Sequence, residues 1–153
     1  MPDWLQHYEE PIELSSGAPS HWFVDARTIY AHSTLVRQVM NTWRIALSGW
    51  PQEERWHFVG VPEGGMRWAF EFSGHMGATY GRPDDPVPGG RKVVVIEDVV
   101  TTGQSMYAVA RQFGSPPTLV VVSRNPDVNV TCAWATIDLR EDWGELHQEG
   151  ATA

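Results

Sequence analysis

The residues best suited to chemistry lie in one short stretch, where two acids precede a turn rich in glycine and hydroxyl groups. The stretch reads VVVIEDVVTTGQS over residues 93–105, and its acids are Glu97 and Asp98. A glycine at position 103 would let the backbone approach a ligand closely, with the amides of the turn and the start of a helix facing an anion. These features predict a cradle for a monophosphate at the following residues: Val99, Val100, Thr101, Thr102, Gly103, Gln104 and Ser105.

The two acids suit the sugar that such a phosphate would carry. Ionised carboxylates only accept hydrogen bonds, so Glu97 and Asp98 are suited to two vicinal hydroxyls of a ribose or to a hydrated magnesium ion. A plainer interpretation is that the turn caps a helix while both acids face solvent. The residue types of the turn are compatible with both interpretations.

Strands and helices alternate around this stretch. The run KVVVIE at 92–97 is β-branched almost throughout, which predicts a strand buried on both faces and therefore a parallel sheet. A helix is predicted from about Gly103 to Phe113, where Gly114 can end it. Further strands are predicted at 56–61, 118–123 and 130–137, and further helices at 34–47 and 66–73. The alternation predicts an α/β fold with a central, mainly parallel sheet flanked by helices, and ligands collect at the carboxyl ends of such strands.

Length and composition predict a single domain over residues 1–153, with a core at about 14–140 and loosely held polar termini at 1–13 and 144–153. The formal net charge is −8, which argues against nucleic acid or an anionic membrane surface as a partner. Every apolar run is much shorter than the roughly 20 residues needed to span a bilayer, and the first ten residues do not resemble a secretory signal. The single cysteine, Cys132, has no partner for an internal disulfide, so a cytoplasmic location is expected.

The stretch 93–105 closely resembles the signature of the type I phosphoribosyltransferases. In that signature an apolar strand leads into two acids, two aliphatic residues and a threonine-glycine phosphate loop. The resemblance implies the type I phosphoribosyltransferase fold and phosphoribosyl pyrophosphate as a ligand. It also implies that Glu97 and Asp98 are the catalytic acids and that they hold Mg²⁺ through water.

Three further stretches resemble the orotate phosphoribosyltransferase branch of this family. LSSGAPSHWFVDAR at 14–27 is similar to its opening motif, and VGVPEGGMRWA at 59–69 is similar to its pyrophosphate turn. VVVSRNPDV at 120–128 places an arginine just after a strand, where this branch uses one against the orotate ring. The resemblance implies a base pocket formed by Ser16, Gly17, Phe23, Arg27, Thr101 and Arg124. It implies a pyrophosphate site formed by Pro62, Glu63, Gly64, Gly65, Arg67 and Arg82.

Two of these assignments have plain alternatives. The resemblance has Phe23 stacking on the base, but an aromatic residue on a strand is often part of the core. Arg27 can simply pair with an acid such as Asp25. Arg124 would offer planar donors to the oxygens of the base.

The region between the pyrophosphate turn and the phosphate strand departs from the family. Members of this branch carry a mobile loop there, with an arginine-lysine pair and a further lysine, which closes over the site of a neighbouring subunit. The matching region here, 74–91, reads GHMGATYGRPDDPVPGGR and contains no lysine. Two other positions where the family often has lysine hold Ser15 and Gly64. The cations near the leaving group are then Arg67, Arg82, Arg91 and His75.

Glu63 adds an acid to the pyrophosphate turn, and it has two interpretations. One makes it a solvated loop residue. The other gives it a link to a metal ion, because a carboxylate there would repel pyrophosphate unless magnesium lies between them.

The sequence therefore predicts a magnesium-dependent enzyme that transfers the 5-phosphoribosyl group from phosphoribosyl pyrophosphate to a pyrimidine-like base, orotate by resemblance, and releases pyrophosphate. The alternative is a noncatalytic sensor of phosphoribosyl pyrophosphate or a nucleotide, or a partner-binding protein, that has lost the closing loop. A third possibility is an enzyme for another base. The resemblance also implies a homodimer, with the helix at 34–47 or the tryptophan-rich segments at the contact.

Overall fold

A parallel sheet of five strands lies at the centre of the computed structural model, which describes residues 1–51 and 55–140. In chain order the elements are β1 (Leu5–Glu13), β2 (Pro19–Val24), α1 (Ala26–Ala31), α2 (Ser33–Leu47), β3 (Arg55–Gly60), α3 (Gly64–Met76), β4 (Thr79–Gly81), β5 (Arg91–Val100), α4 (Gln104–Ala110), a 3-10 helix (Arg111–Phe113), β6 (Thr118–Ser123) and β7 (Cys132–Thr136). The sheet order is β4-β3-β5-β6-β7, and each neighbouring pair is parallel. This confirms the predicted α/β fold. The expectation for 144–153 falls outside the described residues.

The strands and helices that the pattern predicts all form, with shifted ends. Strand β6 has the predicted bounds, whereas β5 is longer than predicted and α3 begins two residues earlier. The helix predicted to end at Phe113 is α-helical only as far as Ala110 and continues as the 3-10 turn. Among the described residues, no helix has both the length and the apolar character that crossing a membrane requires.

The central strand β5 is buried on both faces, as its β-branched run predicts. Val94 and Ile96 belong to one core cluster, which α2 and α3 complete with large side chains such as Trp43 and Phe72. Val95 faces a second, smaller cluster, to which α4 contributes Met106, Val109 and Ala110. Helices therefore cover both faces of the sheet, and the carboxyl ends of its strands meet at one edge.

The strand order reverses between β3 and β5. From β3 the chain passes through α3 to β4 on one side, and it then crosses to β5 on the other side. The start of α3 lies very close to this point: a Cβ atom at position 60 would fall 2.6 Å from the Cα atom of Met66, and one at position 65 would collide with the carbonyl oxygen of Ile96. A crevice between the two strand ends is the usual ligand site of an open parallel sheet.

The N-terminal segment differs from the sequence-based expectation that residues 1–13 are loosely held. Residues 5–13 form β1, which pairs with β2 in an antiparallel ribbon from Leu5↔Val24 to Glu13↔Pro19. Trp4 is buried, with its ring centroid 5.9 Å from that of Trp134. Most of β1 is exposed, so the segment carries no apolar alternation that predicts a strand.

Two short elements have no counterpart in the prediction. Helix α1 begins at Asp25, whose side chain accepts a hydrogen bond of 3.0 Å from the backbone amide of Arg27. Strand β4 adds only three residues at the edge of the sheet. Such short elements contain too few residues to show a period of either kind.

Candidate active site

Two adjoining cavities open at the carboxyl ends of β3 and β5. The first, the loop cavity, has a volume of about 360 Å³ and is lined by Ser15, Ser16, Pro62, Glu63, Gly64, Glu97, Asp98, Val99, Val100, Thr101, Thr102, Gly103, Gln104, Ser105 and Met106. The second, the arginine cavity, has a volume of about 420 Å³, and its lining includes Arg27, Arg67 and Arg124. Asp98 and Thr101 line both cavities, so the two form one continuous cleft.

The loop cavity brings together every residue of the predicted phosphate cradle. Its wall is the unbroken segment 97–106, which leaves β5 and enters α4. Gly103 has a φ of 85°, and a Cβ atom there would lie 2.8 Å from the ring of Tyr107. The turn therefore requires glycine. Within it, the Gln104 amide donates a hydrogen bond of 3.3 Å to Thr102 Oγ1.

The two acids at the end of β5 have different environments. Glu97 is 7% exposed, and its Oε1 atom accepts a hydrogen bond of 3.0 Å from the backbone amide of Asp98. Burial, reinforced by the neighbouring Asp98 carboxylate, raises the pKa of Glu97 to about 9. Asp98 is half-buried, and its Oδ1 atom accepts a hydrogen bond of 2.7 Å from the amide of Val99. Of these two acids, Asp98 lines both cavities, whereas Glu97 lines the loop cavity alone.

Replacing Glu97 by Gln should raise the free energy of unfolding more at pH 8 than at pH 5. The pKa of Glu97 is about 9 in the folded chain and near 4.5 without the fold, so the folded state alone keeps the proton between these values. The stability of the original chain must then fall as pH rises through this window, and glutamine removes that loss. We expect a gain of about 1–3 kcal/mol at pH 8, measured by urea unfolding without magnesium. Glu10→Gln on exposed β1 is the control, and equal pH profiles for both variants would contradict the assignment.

Asp98 packs against a position where the sequence departs from the family pattern. Its carboxylate lies against Gly64, and a Cβ atom at position 64 would overlap Asp98 Oδ2. A side chain at position 64 therefore requires the Asp98 carboxylate to move aside. Glycine at 64 and aspartate at 98 thus lie in contact across the β3-β5 crevice.

The pyrophosphate turn carries an ion pair that the sequence does not predict. Arg82 Nη2 lies 2.9 Å from Glu63 Oε1, and the hydrogen bond from Arg82 holds the pKa of Glu63 below its usual range. The backbone amide of Arg82 is itself bound by Asp85 at 2.9 Å. The Glu63 side chain is 80% exposed, and the short loop after β4 supplies it with a positive partner. The peptide bond between Pro62 and Glu63 is cis.

The arginine cavity combines aromatic walls with positive charge. Phe23, Tyr30 and Trp68 line it together with the three arginines. Arg124 is 4% exposed and donates a hydrogen bond of 2.8 Å from Nη2 to Ser20 Oγ. Arg27 pairs with Asp25 at 3.1 Å, as the plainer interpretation predicts, but it still lines the cavity.

Several predicted residues lie elsewhere than expected. Ser16 lines the loop cavity, and Gly17 lines neither cavity and instead turns the chain between β1 and β2. Gly65 is buried in the first turn of α3, against the carbonyl oxygen of Ile96. Arg67 lines the arginine cavity and not the loop cavity.

Arg91 and His75 are not near the leaving group. Arg91 begins β5 at the opposite end of the sheet, where its Nη1 atom donates to the carbonyl oxygen of Trp56 at 3.2 Å. The ring of His75 stacks on Phe72, with centroids 6.2 Å apart. The region 74–91 does not bring these two residues together at the cleft, because β4 divides it.

The described residues contain no group of three or more His, Cys, Asp or Glu side chains that could hold a metal ion alone. Asp98 and Glu97 are suited to a magnesium ion only if water or a bound ligand completes the coordination.

No protein-family model matches the chain. By sequence it is 34% identical over 111 residues to an orotate phosphoribosyltransferase of Pyrobaculum islandicum, covering 62% of this chain and 54% of that protein. It is 27% identical over 113 residues to an orotate phosphoribosyltransferase of Pyrobaculum aerophilum, covering 65% of this chain and 57% of that protein. The chain thus matches little more than half the length of these relatives.

Solved structures resemble the whole described fold. An orotate phosphoribosyltransferase from Aeropyrum pernix superposes with a TM-score of 0.66 at 23% identity, over 94% of this chain and 93% of that one. The orotate phosphoribosyltransferase of Mycobacterium tuberculosis gives 0.58 at 20% identity, over 92% and 91% of the two chains. A UMP synthase of Leishmania donovani gives 0.64 at 18% identity, over 97% of this chain and 36% of that one.

The chain has the fold of the type I phosphoribosyltransferases. The relatives found by sequence are orotate phosphoribosyltransferases, and the chain is similar to them over 62% and 65% of its length.

Proposed function

We propose that this protein transfers the 5-phosphoribosyl group from phosphoribosyl pyrophosphate to orotate and releases pyrophosphate. The observation that carries the proposal is the continuous cleft, in which the segment 97–106 forms one wall and the arginine cavity adjoins it through Asp98 and Thr101. A sugar held at this junction has its 5′-phosphate in the loop cavity and its C1′ atom facing the arginine cavity. The names of the relatives agree with this chemistry.

Each group of residues in the cleft binds a different part of the substrates. The turn 101–105 binds the 5′-phosphate through amides and hydroxyls, and Asp98 with Glu97 receives the ribose hydroxyls and Mg²⁺. Magnesium, when bound, neutralises charge on the departing pyrophosphate. The turn 62–65 and Arg82 bind that group on the protein side. Phe23 flanks the base, and Arg124 offers it donors.

The reaction needs no general base on the protein. A ring nitrogen of the base attacks C1′ while pyrophosphate departs, through a state with oxocarbenium character. The negative charge of orotate lies on its carboxylate, so the ring nitrogen still loses a proton, which passes to water or to the departing pyrophosphate. The contribution of the cleft is positioning and electrostatic stabilisation of the leaving group.

A noncatalytic sensor remains the second candidate, and the Glu63-Arg82 pair is the observation that favours it. The cation nearest the pyrophosphate turn is already partnered by a carboxylate, and the loop carries no lysine. A sensor binds the sugar pyrophosphate and releases it unchanged.

Titration calorimetry with phosphoribosyl pyrophosphate and magnesium, followed by orotate addition and an assay of released pyrophosphate, separates the two. Binding with turnover supports the transferase. Binding without turnover, on orotate or on a panel of other bases, supports the sensor. Absence of binding would contradict both.

A homodimer belongs to the same proposal. Ile45 on α2, the helix predicted to form the contact, is 64% exposed, and Trp50 just beyond it is 41% exposed. Large apolar side chains at such exposure favour a contact surface in this region. Light scattering of the purified chain measures the oligomeric state.

A further inference from the structure

We infer that Arg67 determines the specificity of the arginine cavity by binding an anionic substituent, such as a carboxylate, on the acceptor base. The inference rests on the proposed function and deepens it. Three features of the cleft carry it: the way Arg67 is held, the charge state of its neighbours, and its position on one cavity only.

Arg67 is held by an aromatic ring whose own orientation is determined by α3. The Cζ atom of Arg67 lies 4.8 Å from the centroid of the Tyr30 ring. The hydroxyl of Tyr30 donates a hydrogen bond of 2.9 Å to Glu71 Oε1, and Trp68 packs edge-on against the ring at 5.3 Å. A guanidinium over an aromatic face is stabilised by about 0.5–1 kcal/mol at an exposed site. Arg67 is thus an oriented cation on the cavity wall, although its side chain is exposed.

The guanidinium of Arg67 is available to an anion. Within residues 1–51 and 55–140, Arg67 forms no ion pair with a carboxylate. Arg27, on the same cavity, forms an ion pair with Asp25. The acids that line this cavity are Glu13, Asp25, Glu63 and Asp98, and of these Asp25 is paired with Arg27 and Glu63 with Arg82. An incoming anion therefore meets a positive charge at Arg67 that no direct carboxylate contact neutralises.

The position of Arg67 separates this role from pyrophosphate binding. Glu63 and Gly64 in the pyrophosphate turn line both cavities, whereas Arg67, one turn further along α3, lines only the arginine cavity. Phe23 and Arg124, the proposed contacts of the base, line the same cavity. Arg67 is therefore better placed to contact the base than to contact the departing pyrophosphate.

The test compares binding of orotidine 5′-monophosphate and uridine 5′-monophosphate by titration calorimetry. These nucleotides differ only in the carboxylate of the base, and neither reacts when pyrophosphate is absent. We expect the original chain to bind the carboxylate form at least tenfold more tightly. Arg67→Gln should reduce this preference by about 10- to 100-fold while the Kd of the uridine nucleotide changes less than twofold, because a charge-assisted hydrogen bond contributes about 1.5–3 kcal/mol. Arg111→Gln, on the exposed 3-10 turn outside both cavities, is the control.

A second variant tests whether the contact between Arg67 and the Tyr30 ring contributes to the carboxylate preference. Tyr30→Leu removes the ring while leaving Arg67 in the chain, so it should reduce the carboxylate preference partially, by about 3- to 10-fold. Thermal unfolding of both variants shows whether they remain folded.

Each remaining outcome overturns the inference. If Arg67→Gln weakens the binding of both nucleotides equally, Arg67 has a structural role only. If the ratio of the two Kd values is unchanged, Arg67 does not bind the carboxylate, and Arg124 is the arginine that does. Weaker binding of phosphoribosyl pyrophosphate with unchanged nucleotide preference assigns Arg67 to the leaving group. If the original chain binds neither nucleotide, the proposed function fails as well, whereas binding without discrimination contradicts the role of Arg67 alone.

Discussion

Replacing Asp98 by Asn should weaken the binding of phosphoribosyl pyrophosphate with magnesium by about 100-fold or more. Asp98 lines both cavities and lies against Gly64, so its carboxylate stands where the sugar, the metal ion and the pyrophosphate turn meet. Asparagine keeps the size of the side chain and can still accept the 2.7 Å hydrogen bond from the Val99 amide, but it removes the charge. Loss of charge-assisted contacts to two hydroxyls and of a metal ligand together accounts for the magnitude.

The fold should tolerate this change. Asp98 is half-buried, and its partner in the backbone hydrogen bond is retained, so the free energy of unfolding should change by less than about 1 kcal/mol. Asp127→Asn, on the exposed loop between β6 and β7, removes a charge outside both cavities and is the matched control. Titration calorimetry that gives the same Kd for Asp98→Asn and the original chain would contradict the placement of the site.

The wall of the cleft formed by residues 97–106 could be predicted from the sequence because its determinants are local. The β-branched run before Glu97 specifies a strand buried on both faces, and Gly103 occupies a turn that no side chain fits. Both features lie within thirteen consecutive residues, so no long-range contact has to be known. The same holds for β6 and for α2, whose apolar patterns are long enough to count.

The opposite wall, formed by the arginine cavity and the turn 62–65, could not be predicted in this way because it depends on contacts between segments that are distant in sequence. Tyr30 shows no unusual pattern, and its importance arises only where α1 meets α3 and the ring carries Arg67. Glu63 and Arg82 are 19 residues apart and meet because β4 returns the chain to the edge beside β3. Strand β1 likewise depends on its partner β2 and not on its own alternation.

These contacts bear on the lysine-free loop. Gly64 packs against the Asp98 carboxylate, and Arg82, the first residue after β4, pairs with Glu63 in the turn 62–65 of the same chain. A cation supplied in this way is available without closure of a long loop. The pairing with Glu63 orients the guanidinium and also moderates its charge, so turnover depends on whether pyrophosphate and magnesium compete successfully with the carboxylate.

Replacing Arg82 by Gln should therefore lower kcat by about 100-fold while the KM for orotate changes less than threefold. Arg82 Nη2 lies 2.9 Å from Glu63 at the turn proposed for the leaving group, and no lysine stands in the loop to compensate. A cation that stabilises charge developing on the leaving group contributes mainly in the transition state, which is why the effect falls on kcat. Steady-state kinetics with varied orotate at saturating phosphoribosyl pyrophosphate measures both constants.

Two further variants separate the cation from the ion pair. Glu63→Gln breaks the same pair but leaves Arg82 in place, so it should lower kcat less than tenfold. Arg91→Gln removes an arginine at the opposite end of the sheet, where it contacts the carbonyl oxygen of Trp56, and should leave both constants within twofold. If Glu63→Gln is as damaging as Arg82→Gln, the pair matters as a unit that shapes the turn and Arg82 does not act on pyrophosphate itself. If neither variant alters kcat, then magnesium and the amides of the turn stabilise the leaving group unaided, and the missing lysines need no replacement.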